Sequence, residues 1–166
     1  MALVEHEPGT GENEMPKIDI EALTWQGGSG YPAPLRAVVD GRSRKRLGDA
    51  AGLTQYGVNL TRLLPGAASA LRHWHEQEDE LVYILEGELV LIEDEGETTL
   101  RVGDAAGWRA GAANGHHLVN RTAAPATYLE IGTRAPIDRV HYPDVDLLHT
   151  ADGTTEGFTR RDGSAW

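Results

Sequence analysis

The sequence predicts an all-β protein, an antiparallel sandwich or barrel, and three observations carry that reading. From residue 55 onward apolar residues recur with a period of two, as in "TQYGVNLTRLL", where Tyr56, Val58 and Leu60 alternate with polar or small neighbours. Segments of this kind repeat at roughly ten-residue spacing, with Gly, Asp or Pro between them. No long amphipathic helix interrupts the series, and no repeat of solenoid period is visible.

Taken in order, residues 1–16 are acidic, polar and Gly/Pro-containing, and read as a disordered leader, of which 1–14 are expected to contribute nothing to the fold. "MPKIDIEAL", beginning at Met15, reads as an alternative natural start. Residues 17–54 form an N-terminal arm, with a loop over 26–34, a short strand over 35–41 and a loop or one-turn helix over 41–53. That last segment carries Arg42, Arg44, Lys45 and Arg46, read as a solvated loop balancing acidic neighbours. The barrel spans 55–133: a strand to Leu64, a turn at 65–67, then "ALRHWH", "ELVYILEG" and "ELVLIEDEG". Gly96 marks a hairpin tip before "TTLRVGD", and "HHLVN" and "ATYLEIG" complete the set. Residues 134–166 are less regular and are expected to pack on the barrel or on a partner subunit.

Composition narrows the chemistry. With 166 residues the chain is long enough to bury a core as one domain. It has no cysteine, which excludes disulfides, thiolate metal sites and thiol nucleophiles, so any metal is held by nitrogen and oxygen. A net charge of -11 argues against nucleic acid as a partner. There is no apolar run of membrane-spanning length and no secretory signal pattern, so a cytoplasmic location is expected. G-x-S-x-G, P-loop and dinucleotide fingerprints are absent.

The stretch "RHWHEQEDELVYILEGEL", residues 72–89, concentrates metal-ligand side chains beside a buried-looking strand. Side chains at i and i+2 of a strand share a face, so His73 and His75 project together, with Arg72 and Trp74 opposite. After a turn, Glu80 returns beside that pair on the face of Val82 and Ile84. A carboxylate among apolar neighbours needs a partner, and a cation supplies one.

These residues resemble the cupin superfamily. Gly66, His73, His75, Glu80 and Gly87 follow the first cupin motif, with one extra residue between Gly66 and His73. Gly103, Gly111, His116 and Asn120 follow the second, although Arg109 stands where that motif carries Pro. The fifteen residues between Gly87 and Gly103 are similar to the short intermotif of small bacterial cupins. The resemblance implies a double-stranded β-helix, a cupin or jelly-roll barrel, holding one ion through His73, His75, Glu80 and His116. His117 is a rival to His116, which is favoured by its spacing to Asn120. Such a donor set suits one divalent transition metal, Mn, Fe, Ni, Co or Zn, with positions left for substrate or water.

Other residues are assigned more modest roles. Arg109 ranks first as a substrate anchor at the cavity rim, ahead of Arg62 and Arg72. Trp74, Trp108, Tyr56, Tyr83 and Tyr128 read as packing, and His141 as structural. The expected function is a metal-dependent enzyme of isomerase, dioxygenase or lyase type, acting on a small polar or anionic metabolite. A non-catalytic ligand-binding or sensor protein is the alternative. Strands 81–85 and 89–92 are apolar on both faces, which predicts a homodimer, or cover by the chain's own residues 136–150.

Overall fold

A computed structural model describes residues 17–152 and 156–166, so the expected leader at 1–16 lies outside the described residues. A 3-10 helix, Ala33–Val39, precedes strand β1 (Arg42–Arg46) and the one-turn helix α1 (Leu47–Ala50). Eleven strands follow: β2 (Tyr56–Leu63), β3 (Trp74–His75), β4 (Glu80–Glu86), β5 (Glu88–Glu93), β6 (Gly96–Arg101), β7 (Ala105–Trp108), β8 (His117–Val119), β9 (Ala126–Thr133), β10 (Asp138–Tyr142), β11 (Leu147–Ala151) and β12 (Glu156–Thr159). Among the described residues no helix is long and apolar enough to cross a membrane.

The strands form three antiparallel sheets, ordered β1-β2-β9-β4-β7, β6-β5-β8 and β12-β11-β10-β3. The first two face each other across one core. Leu63, Val82, Ile84 and Tyr128 from the five-stranded sheet pack with Leu89, Leu91, Leu100 and Leu118 from the other strands. This is the jelly-roll, double-stranded β-helix. The period of two works because each of these residues alternates with a more exposed neighbour, and each buried Leu or Ile contributes about 2 kcal/mol of transfer free energy. Gly87 turns β4 into β5 at φ +78, and a Cβ there would stand 2.9 Å from the Cβ of Ala126. Conformation and close approach both select glycine.

Register sets which residues share the interior. Arg44 pairs with Thr61, and Thr61 with Tyr128. One rung along, Asn59 pairs with Glu130, and Glu130 with Val82. Glu80 pairs with Gly132 on one side and Trp108 on the other. Directly opposite residues share a face, so these polar groups line the inside of the barrel at one end.

Three expectations are corrected. Residues 35–41 do not form a strand; Pro32 and Pro34 open the 3-10 helix instead, and Val39 is buried at its end. Proline fixes φ and lacks the donor that a strand ladder requires. The basic segment is not a solvated loop, because β1 pairs with β2 along all five residues and Lys45 is 5% exposed. Backbone ladders form irrespective of side-chain charge when each charge has a partner, and Lys45 donates to the Ile20 carbonyl at 2.7 Å. The C-terminal segment is not irregular either. β10, β11 and β12 build a sheet that continues onto β3, with Val140 opposite His75. Its buried positions, Asp138, Val140 and Tyr142, alternate correctly, but a polar member hides the pattern. Tyr31 and Val39 pack with Val140, Tyr142 and Leu147, so the N-terminal arm and C-terminal sheet share a second core.

Candidate metal centre

Two strands, β3 and β4, and the residues just before β3 and β8 deliver the candidate ligands. β3 carries His75, and His73 precedes it by two residues. His73 bridges His116 through reciprocal backbone bonds, the amide of each donating to the carbonyl of the other at 2.9 and 3.1 Å. Glu80 opens β4. The His73 ring lies 5.2 Å from both the His75 and His116 rings, centroid to centroid. Glu80 Oε2 stands 2.8 Å from His116 Nε2, 3.6 Å from His75 Nε2 and 3.8 Å from His73 Nε2. All four expected ligands therefore converge. His117 does not join them; its Nδ1 meets the Ala70 carbonyl at 2.9 Å.

The tautomers are informative. Each of the three rings places Nδ1 against an oxygen acceptor: the Leu71 carbonyl for His73 at 2.9 Å, the Asp138 carboxylate for His75 at 2.6 Å, and the Asn114 carbonyl for His116 at 3.0 Å. Carbonyls and a carboxylate accept, so Nδ1 carries a proton in each ring, and in the neutral ring Nε2 keeps the lone pair. Three lone pairs and a carboxylate then meet in one place, an arrangement that a cation balances. Neighbouring ligand atoms around one transition-metal ion stand roughly 3 Å apart; the ligand atoms of His73, His75 and Glu80 lie within 4.8 Å of one another, and His116 Nε2 joins them through its 2.8 Å contact with Glu80. The donor set therefore fits such an ion.

Electrostatics favours the same end. Burial alone would raise the Glu80 pKa, but the facing His116 and His73 rings, which donate to it through Nε2 only when doubly protonated, hold its carboxyl well below the usual range. Burial alone would lower His73, but Glu80 outweighs it and holds that imidazole above its ordinary value. Trp108 stacks on His116 at 3.7 Å between centroids, and its indole N–H donates to Glu93 at 2.8 Å. The ring of His116 is thus held on one face by Trp108 and at its two nitrogens by the Asn114 carbonyl and Glu80. Trp74 points the other way, stacked on His141 at 4.2 Å, and His141 meets Glu76 at 2.7 Å.

A cavity of about 310 Å³ opens over these groups, and Arg42, Arg44, His117, Tyr128 and Glu130 also line it. Arg109, the expected anchor, is exposed and outside this wall, because β7 ends at Trp108 and the chain turns outward. Arg42 and Arg44 line the cavity wall instead, and sequence reading missed them. Their i, i+2 spacing in "RSRKR" is the signal that would have placed both on the inner face. Arg44 is committed to Glu130, with Nη2 at 2.9 Å and Nε at 3.2 Å from one carboxylate oxygen. Arg42 donates to the carbonyls of Ser69 and Gly28 and forms no ion pair among the described residues.

Comparison with known proteins agrees with this geometry. The Cupin domain family matches residues 59–132. The chain is similar to a sugar phosphate isomerase from a cupin superfamily of Silicibacter pomeroyi, at 51% identity over 91% of this chain and 96% of that one, with a TM-score of 0.88. It is also similar to an Acidithiobacillus ferrooxidans protein provisionally named a sugar phosphate isomerase, at 30% identity over 73% of this chain and 77% of that one, TM-score 0.69. A predicted oxalate decarboxylase from Thermotoga maritima shares the fold at 20% identity, over 72% of this chain and 100% of that one, TM-score 0.56. No curated protein matches the chain. Half of the residues are identical across nearly the whole of the first of these structures, and both motif histidine groups lie inside the family match; the chain belongs to the cupin superfamily.

Proposed function

We propose that this chain is a metal-dependent isomerase of a small phosphorylated sugar. The observation that carries the reading is the pre-set donor cluster of His73, His75, Glu80 and His116 in the same cavity as Arg42, a guanidinium without an ion-pair partner among the described residues. The name of the 51%-identical relative supports it. When bound, a divalent ion at that cluster supplies Lewis-acid polarisation of a substrate oxygen.

The remaining work falls to this chain's side chains. Arg42 holds the anionic end of the substrate, while Arg44, neutralised and fixed by Glu130, keeps the wall beside it rigid. His117 lines the cavity with Nδ1 donating to the Ala70 carbonyl, so its Nε2 has a lone pair to receive a proton. Aldose–ketose exchange needs such a group to take a proton from the carbon beside the carbonyl and return it to the neighbouring carbon. Protein loaded in turn with Mn, Fe, Co, Ni or Zn, incubated in D2O with three- to six-carbon sugar phosphates, is expected to interconvert one aldose–ketose pair with deuterium incorporated beside the carbonyl. The absence of both exchange and conversion with every one of them overturns the proposal. In the active pair, Arg42→Gln is expected to raise KM about 10–100-fold with kcat little changed, the cost of one charge-assisted contact.

The same chain is proposed to form a homodimer. Leu81, Tyr83 and Leu85 lie on the outer face of β4 and are 42%, 40% and 41% exposed. The C-terminal sheet joins β3 and leaves that face open, so the alternative of cover by residues 136–150 loses its support. A second copy is the partner that closes an apolar sheet face by two-fold symmetry. Light scattering at micromolar concentration should give twice the 18.0 kDa chain mass, and a mass of one chain rejects the dimer.

A further inference from the structure

We infer that Asp138 is a positioning residue of the metal centre, acting through His75. It lies at the start of β10, outside the residues matched by the family, and is 5% exposed. Its Oδ2 stands 2.6 Å from His75 Nδ1, and its Oδ1 accepts the Gln77 amide at 2.9 Å. One carboxylate therefore fixes both the ring and the backbone just beyond it. The β10–β3 ladder brings it there, with Val140 opposite His75 and the Glu76 amide donating to the Arg139 carbonyl at 3.0 Å.

The three histidines are not equivalent in this respect. His73 and His116 donate Nδ1–H to neutral backbone carbonyls two residues away in sequence. His75 alone among them places its Nδ1–H against a carboxylate, supplied from 63 residues away. A charged acceptor does more than a carbonyl: it fixes the tautomer with Nε2 free and pushes electron density into the ring, which strengthens Nε2 as a donor. Glu78 does not duplicate this role, because it stands 3.7 Å from Nδ1 and accepts the Ala135 amide at 2.8 Å. The C-terminal sheet thus contributes to the metal centre and not only to the second core.

This inference rests on the metal reading of His73, His75, Glu80 and His116, and the test separates the two. Metal-stripped full-length protein is titrated with Co²⁺ and followed by visible absorption. Wild type is expected to take one Co²⁺; no binding overturns the metal reading and this inference with it. Asp138→Ala, shown to be folded by circular dichroism, is expected to bind Co²⁺ about 10–100-fold more weakly, with an altered absorption band. Asp138→Asn retains one acceptor oxygen for two donors and is expected between the two. A folded Asp138→Ala protein with wild-type affinity and spectrum overturns the inference while leaving the metal centre intact. If neither variant folds, long-range ¹⁵N–¹H spectra of Zn²⁺-loaded wild type decide: metal on Nε2 and the proton on Nδ1 of His75 is the expected result, and metal on Nδ1 overturns it.

Discussion

His75→Ala is expected to lose metal affinity by about 10²-fold or more. A complete structural donor set is worth roughly 10–16 kcal/mol to a zinc-class ion, so one of four ligands carries about 3 kcal/mol, or two decades. His116→Ala should behave alike, since its Nε2 stands nearest to Glu80, at 2.8 Å. His117→Ala is the control: its Nδ1 is turned to the Ala70 carbonyl, and the metal content should stay at the wild-type level. Elemental analysis after dialysis against buffer without metal reads all three. Equal metal in His75→Ala and wild type would remove the centre from the protein, and loss in His117→Ala alone would move it to the neighbouring histidine.

That contrast shows where the sequence was legible. His73, His75 and Glu80 stand together for local reasons, strand parity and one turn, and both can be read without a structure. The pattern of two likewise exposes β2, β4, β5 and β9, whose inner residues form the main core. Choosing His116 over His117 needed the second motif, because a strand of three residues fixes no parity by itself. Arg42 and Arg44 had the right spacing, yet a basic run resembles a solvated loop until its partners appear, and the Glu130 partner of Arg44 is 86 residues away. Asp138 left no trace, since its bond to His75 depends on a ladder between β10 and a two-residue strand. Local periodicity predicts elements; contacts across such separations do not imprint on either segment alone.

The Arg44–Glu130 pair carries the second large effect. Glu130→Ala is expected to destabilise the protein by about 3 kcal/mol, the low end for breaking a buried ion pair, because both side chains keep some solvent contact, at 28% and 24%. The loss exceeds that of a surface pair for a structural reason. Glu130 accepts from Arg44 twice, from Asn59 at 3.2 Å, from Thr61 at 3.3 Å and from Tyr128 at 3.5 Å, so its removal strands four residues inside the barrel. Tyr128 cannot compensate by ionising, since burial holds its phenol far above the ordinary value. Arg44→Gln removes the charge along with its need for a partner and should cost less than Glu130→Ala, as losing the cation leaves an anion that still has three donors. Urea denaturation of the two variants orders them. A Glu130→Ala protein within about 1 kcal/mol of wild type would mean that Arg44 turns to solvent without penalty, and the ion pair would then not be what holds the wall beside Arg42 in place.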